Sequence, residues 1–242
     1  FTTVGNLTLR TTDSSDFQIP AHEVNGTLSV TTAGAITQSG VLTVTGDSAF
    51  TSTGSDKTIT LGSANVLRGN VTLSTAGTSG NVTIDNGTNA LMLQGTVLGN
   101  LTVTNQGTIG DSDTLRVTGT SSFTTEASGN HITLGTADLE EAITLSTTNT
   151  SNFTLDNVDQ AVILAAGTVR GALSVTTDDT ITQTGALTVT GTSLFHTSGG
   201  NDKAITLDQA NSLQGAITFT TATTSSNNAA HINLNNGSRA IS

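Results

Sequence analysis

Asp178 and Asp179 are adjacent carboxylates, the best candidate pair in the chain for general acid–base cleavage of a polysaccharide. Neighbours on a strand point to opposite faces, however, and the aligned positions elsewhere in the chain are Ala33 with Gly34 and Gln106 with Gly107. The pair therefore reads as part of a variable, solvated turn. Glu140 and Glu141 stand where the first repeat carries Leu67 and Arg68, which reads as a changed corner. His22, His131, His196 and His231 show no metal-ligand spacing, and none recurs at a matched position. The calcium nonapeptide GGxGxDxUx is absent, and "GDSD" at Gly110 to Asp113 is too short to carry a site. No nucleophile context and no phosphate loop is present. The expectation is a chain without catalytic, cofactor-binding or metal-binding residues.

Two uncharged patterns remain. Asn-x-Ser/Thr sequons begin at Asn6, Asn25, Asn70, Asn81, Asn86, Asn100, Asn149, Asn152 and Asn236. In a chain so rich in Asn and Thr many arise by chance, and Asn at a turn before a strand Thr is a structural pattern in its own right. Thr-x-Thr triplets such as Thr43-Val44-Thr45, Thr102-Val103-Thr104 and Thr188-Val189-Thr190 would suit an ice-binding face if one fell on every coil. Within a repeat they recur irregularly, which leaves ice binding a minor reading.

The elements that hold these residues follow from composition. Thr is about a fifth of the 242 residues, only 10% are charged, and Leu, Val, Ile and Ala make up most of the 34% that are hydrophobic. Such a mixture suits many short strands joined by turns. Seven Lys plus Arg against a net charge of −11 cannot form a phosphate-binding stripe, so nucleic acid is not expected as a partner. The longest apolar run, Ala161 to Ala166, is too short to span a bilayer, and no membrane insertion is expected. There is no Cys and hence no disulfide.

The strongest signal is repetition. "LTVTGDSAF" (Leu42 to Phe50) returns as "LRVTGTSSF" (Leu115 to Phe123) and "LTVTGTSLF" (Leu187 to Phe195). The match extends into a unit of about 72 residues. Residues 1–25 read as the tail of a preceding unit, and the expected units follow at 26–98, 99–170 and 171–242, the last truncated, all in one continuous solenoid. Apolar residues alternate with period two over three to five residues before a Gly, Asn, Asp or Ser cluster intervenes, as at Leu28 and Val30. With three short strands per coil, this predicts an all-β parallel β-helix of roughly 10–13 coils, about 50–60 Å long at ~4.8 Å per coil.

The recurring positions are architectural. Leu42 and Val44, Leu115 and Val117, and Leu187 and Val189 face inward, while Gly46, Gly119 and Gly191 turn the corner by positive φ or by close backbone approach. Phe50, Phe123 and Phe195 then fill a wide part of the bore, and are expected on one side of the rod.

"GNLTVTNQGTIG", "GALTVTG", "ITQTG", "GNVTLSTAG" and "SGNVTIDN" resemble the haemagglutinin-like repeats of very large bacterial exoproteins, including filamentous-haemagglutinin-type adhesins. The resemblance covers essentially the whole chain. It implies a right-handed parallel β-helix that is extracellular or at the bacterial cell surface, serving as a fibrous stalk or adhesin, with some relatives glycosylated at sequons. The secretion-guiding domain of two-partner exoproteins is not visible. The expected role is structural or adhesive, the alternative a polysaccharide-active β-helix enzyme. No signal peptide opens the chain and both ends fall mid-pattern, which reads as a piece of something longer. Phe1 to Leu9 and Ala229 to Ser242 supply no charged cap beyond Arg239, so the expected partners are flanking repeats, head-to-tail copies, or surface glycans.

Overall fold

A computed structural model describes residues 5–200, 203–222 and 230–240. The expected edges at Phe1 to Leu9 and Ala229 to Ser242 lie partly outside those residues. Among the described residues every regular element is a short β-strand, and the strands stack in three sheets of 11, 14 and 3 members. Neighbouring strands pair in parallel, as between Leu28–Thr32 and Ser48–Ser55. The result is a β-solenoid of about ten turns, whose faces are the sheets and whose bore is the core.

The period-two pattern accounts for the strands. In Leu28–Thr32, Leu28, Val30 and Thr32 are buried and Ser29 and Thr31 point outward. Each inward aliphatic rests on its register partners above and below, forming columns such as Leu9, Val30, Phe50, Leu73. Burying each such side chain contributes on the order of 1.5–3 kcal/mol. Since each coil contacts only its neighbours, stability accumulates along the rod.

Repeat and coil do not share a period. Three turns carry the chain from Leu28–Thr32 through Ser48–Ser55 and Asn70–Ala76 back to the 11-stranded sheet at Leu91–Val97. The equivalent of the starting strand, Leu101–Asn105, comes one face later, in the 14-stranded sheet. Three further turns lead to Val162–Leu164 and Gly167–Val169, and the next equivalent, Leu173–Thr177, lies again in the 11-stranded sheet. Leu91–Val97 bridges the change by bending at Gly95, whose φ of 109° is closed to residues with a Cβ.

The three phenylalanines therefore do not share one side. Phe50 stands above Val30 and below Leu73, Phe123 between Val103 and Leu145 in the other sheet, and Phe195 between Val175 and Phe219. Phe50 and Phe195 share a sheet but not a column, because the Phe50 column continues through Gly95, Leu115 and Ala137 to Asn157. The cause is the extra face in each repeat, which a count of coils per unit misses.

Of the two ways a glycine could turn the corner, the structure uses close approach. Gly46 donates to the carbonyl of Gly26 at 2.9 Å, and a Cβ on it would lie 2.8 Å from that oxygen. Gly119 stacks likewise on Gly99, and Gly191 on Gly171.

Candidate functional site

The recurring positions Leu42, Val44, Leu115, Val117, Leu187, Val189, Phe50, Phe123 and Phe195 are all buried in the bore. Between glycine and phenylalanine each repeat places a serine, Ser48, Ser121 or Ser193, which faces inward and whose buried hydroxyl has no protein partner. Each lies one inward position before the phenylalanine, between aliphatic residues such as Leu28 and Val71. Serine contributes small volume there rather than a hydrogen bond.

Asp178 and Asp179 turn to different partners. Asp178 is exposed and accepts a hydrogen bond from Ser198. Asp179 turns to Lys203, 2.9 Å away, and to the Thr180 amide; these donors hold its pKa below the usual carboxylate range. Asp156 is half-buried on Phe153–Asn157, and its pKa is raised by burial and by repulsion from Asp178 and Asp111. Glu140 and Glu141 do not replace Leu67 and Arg68: the place of Leu67 belongs to Leu139, buried in the same way, because the second unit is one residue shorter before it. Glu140 instead joins Asp138 in holding Arg116, with 3.2 Å from Arg116 Nε to Asp138.

The histidines sit on separate coils. His22 is half-buried on His22–Val24, His196 lies between Thr176 and Thr220, and His231 is exposed. His131 Nδ1 accepts the Asn152 amide at 2.9 Å, a corner contact. Among the described residues no three His, Asp or Glu side chains gather as a metal site would need.

Buried asparagines hold the corners, a role the sequence reading missed. Asn65 Oδ1 accepts from the Leu42 amide and from Gln38, and its Nδ2 donates to Gln38, Leu61 and Asp85 oxygens, at 2.8–3.2 Å. Asn211 repeats the set with Leu187, Gln183, Leu207 and Asn235. Asn86, Asn157 and Asn236 end a strand column by imitating a peptide group: each accepts from and donates to the backbone of one leucine, Leu67, Leu139 or Leu213. The recurring "IDNG", "LDNV" and "LNNG" were the available signal.

The same geometry sorts the sequons. Asn86 and Asn236 are buried with both amide ends engaged. Asn6, Asn81 and Asn100 are exposed, and each Oδ1 accepts a backbone amide of the next coil.

The outer faces differ in charge. The 11-stranded sheet carries Arg10, Arg116, Asp138 and Asp156 outward, and its central pairings shift register. On the 14-stranded sheet the outward column Thr60, Thr83, Thr102, Ser122, Thr144 runs beside a second, Asp85, Thr104, Thr124, Ser146, Thr168, Thr188, Ser212. Hydroxyl pairs thus fall on three successive coils, at Thr102/Thr104, Ser122/Thr124 and Thr144/Ser146. Over those three coils the pairs are regular because serine shares the columns and strands from different parts of the repeat line up; along the rest of the rod the triplets stay irregular, as expected.

A family model described as repeats of unknown function (DUF5649) matches three times, over residues 4–74, 79–149 and 150–220. No curated protein and no solved structure matches the chain.

Proposed function

We propose that the chain, which belongs to the family of DUF5649 repeats, is a structural and adhesive length of a filamentous protein at a bacterial cell surface or outside the cell. The observation that carries this reading is the continuity of the strand stack. Eleven strands of one sheet stack without a break while repeats of the same sequence pass from face to face. Such a rod spaces and presents surfaces, and its length scales with the number of repeats. The resemblance to filamentous-haemagglutinin-type repeats points the same way.

The reading assigns no catalysis to the chain. Asp178 and Asp179 face different partners. Flanking repeats or a second copy stacking end to end are the proposed partners. Surface glycans are the proposed adhesive target.

The test is a glycan-array and cell-binding assay on the purified chain, run beside turnover assays on polygalacturonate and related polymers. Saturable binding without turnover is expected. Turnover lost in Asp178→Asn or Asp179→Asn would replace the adhesive reading with an enzymatic one.

A further inference from the structure

We propose that the outer face of the 14-stranded sheet, centred on Thr102, Thr104, Ser122, Thr124, Thr144 and Ser146, binds the surface of ice. This goes beyond the adhesive reading and does not depend on it.

Three observations lead there. The central strands Val82–Asp85, Leu101–Asn105, Ser121–Thr125 and Ile143–Ser146 pair in continuous register with no shift, so the hydroxyls form a regular grid. Its spacings are those of any flat sheet, ~4.8 Å between coils and roughly 6.6–6.8 Å between alternate residues, close to the repeat of water oxygens on the flat growing faces of ice. From Thr60 to Ser146 the only charged member of the two columns is Asp85, although the chain carries a net charge of −11. Finally, the hydroxyls of Thr83, Thr102, Thr104, Ser122, Thr124, Thr144 and Ser146 take part in none of the side-chain hydrogen bonds among the described residues. Elsewhere outward hydroxyls are used, as where Thr72 accepts from Gln94 at 2.9 Å.

The same features choose between occupants. The six central positions carry no charge, and the charges at their margins, Asp85, Glu126 and Arg170, are of mixed sign, so the face does not attract a charged polymer. A sugar-binding platform ordinarily offers aromatic rings, and the two outward columns of this face hold none, since Phe123 on this sheet points into the bore. Ice asks for a rigid, uncharged grid in which each threonine offers a hydroxyl to a lattice water and a methyl to the gap beside it. No segment need order on binding, since the strands already hold the grid.

Ice-affinity partitioning and thermal hysteresis of the full chain provide the test. The wild-type chain is expected to concentrate in slowly grown ice and to open a gap between melting and freezing points. The double variant T102Y/T124Y should stay in the liquid and close the gap, as should T83K/T102K, which charges two exposed positions and guards against misfolding of the first. Thr51→Tyr, on the other sheet, should behave as wild type, and circular dichroism should show unchanged strand content in all. Exclusion of the wild-type chain from ice would overturn the proposal. So would undiminished partitioning of folded T83K/T102K, or adsorption to microcrystalline cellulose without any effect on ice.

Discussion

The first and third repeats close one corner of the coil with a buried amide pair, and the middle repeat closes it with surface charge. Gln38 with Asn65, and Gln183 with Asn211, exchange two side-chain hydrogen bonds and take up four backbone groups, three through the asparagine and one through the glutamine. In the second repeat Asp111 stands at the place of Gln38, and its carboxylate accepts the amides of Gly135 and Thr136 at 2.8 and 2.7 Å. Ala137 is buried nearby, and Asp138 and Glu140 hold Arg116 outside. The same turn can therefore be satisfied from within or from solvent, but the two solutions depend on different physics. A buried amide that loses its partner leaves polar groups with no water to replace it, whereas an exposed carboxylate can be replaced by solvent.

The largest effect separating the two should come from truncation. Asn65→Ala or Asn211→Ala strands two backbone carbonyls, one amide and a glutamine in the bore, and should cost about 3 kcal/mol or more by urea unfolding. Asp111→Ala, at the solvent-side corner, should cost about 1 kcal/mol or less. Equal losses would mean that the two corners are not different in kind.

Next in size is the removal of a strand-ending amide. Asn86→Ala or Asn157→Ala leaves the Leu67 or Leu139 peptide group without its imitation partner, at about 1–3 kcal/mol. The loss should be local: hydrogen exchange should quicken first at the Leu67 or Leu139 amide. Uniformly faster exchange along the rod would contradict this.

A smaller contrast lies in pH. Asp156 has its pKa raised in the folded chain, so its ionised form opposes folding, and acidification through that pKa toward the ordinary carboxylate range stabilises the fold. Asp156→Asn should therefore raise the unfolding midpoint at neutral pH, with the gain shrinking as pH falls. Asp56 is the opposite case: backbone amides of Thr78 and Ser79 hold its pKa down to about 2. Its contribution is full above pH 4 and is lost as pH falls toward 2. A pH titration of Asp56→Asn against wild type should thus show a deficit at neutral pH that vanishes in strong acid.

The smallest effect is at the bore serines. Ser48→Ala, Ser121→Ala and Ser193→Ala remove a buried hydroxyl without a protein partner, so each should be neutral or slightly stabilising in thermal melts. Phe123→Ala, two residues along, should cost about 3–5 kcal/mol.

These contrasts also mark what could be read from the chain. Strand type, inward residues and the solenoid follow from period-two alternation, as at Leu42 and Val44, because a one-residue slip would expose a whole apolar face. The path of the repeat around the rod is not written that locally. Coils differ in length, with 20 residues from Val30 to Phe50, 23 from Phe50 to Leu73 and 19 from Ile84 to Val103. No fixed spacing therefore reveals that a unit overshoots three coils by one face. The hydroxyl grid was hidden for the same reason, its rows being drawn from strands such as Val82–Asp85 and Ser121–Thr125 that look unrelated in sequence. The buried amides were hidden differently: Asn65 and Asn86 sit in turn-like Asn-rich contexts, and only packing tells a solvated turn residue from a corner clamp.

The central claim is that equivalent positions of successive repeats face different ways, and pulsed electron–electron distances test it directly. Spin labels go at Thr31, Thr104 and Thr176, equivalent outward positions on Leu28–Thr32, Leu101–Asn105 and Leu173–Thr177. With Thr104 on another sheet, the Thr31–Thr104 and Thr104–Thr176 distances should together clearly exceed the Thr31–Thr176 distance. Three collinear labels, with the two shorter distances summing to the longest, would place the repeats on one face and contradict the account.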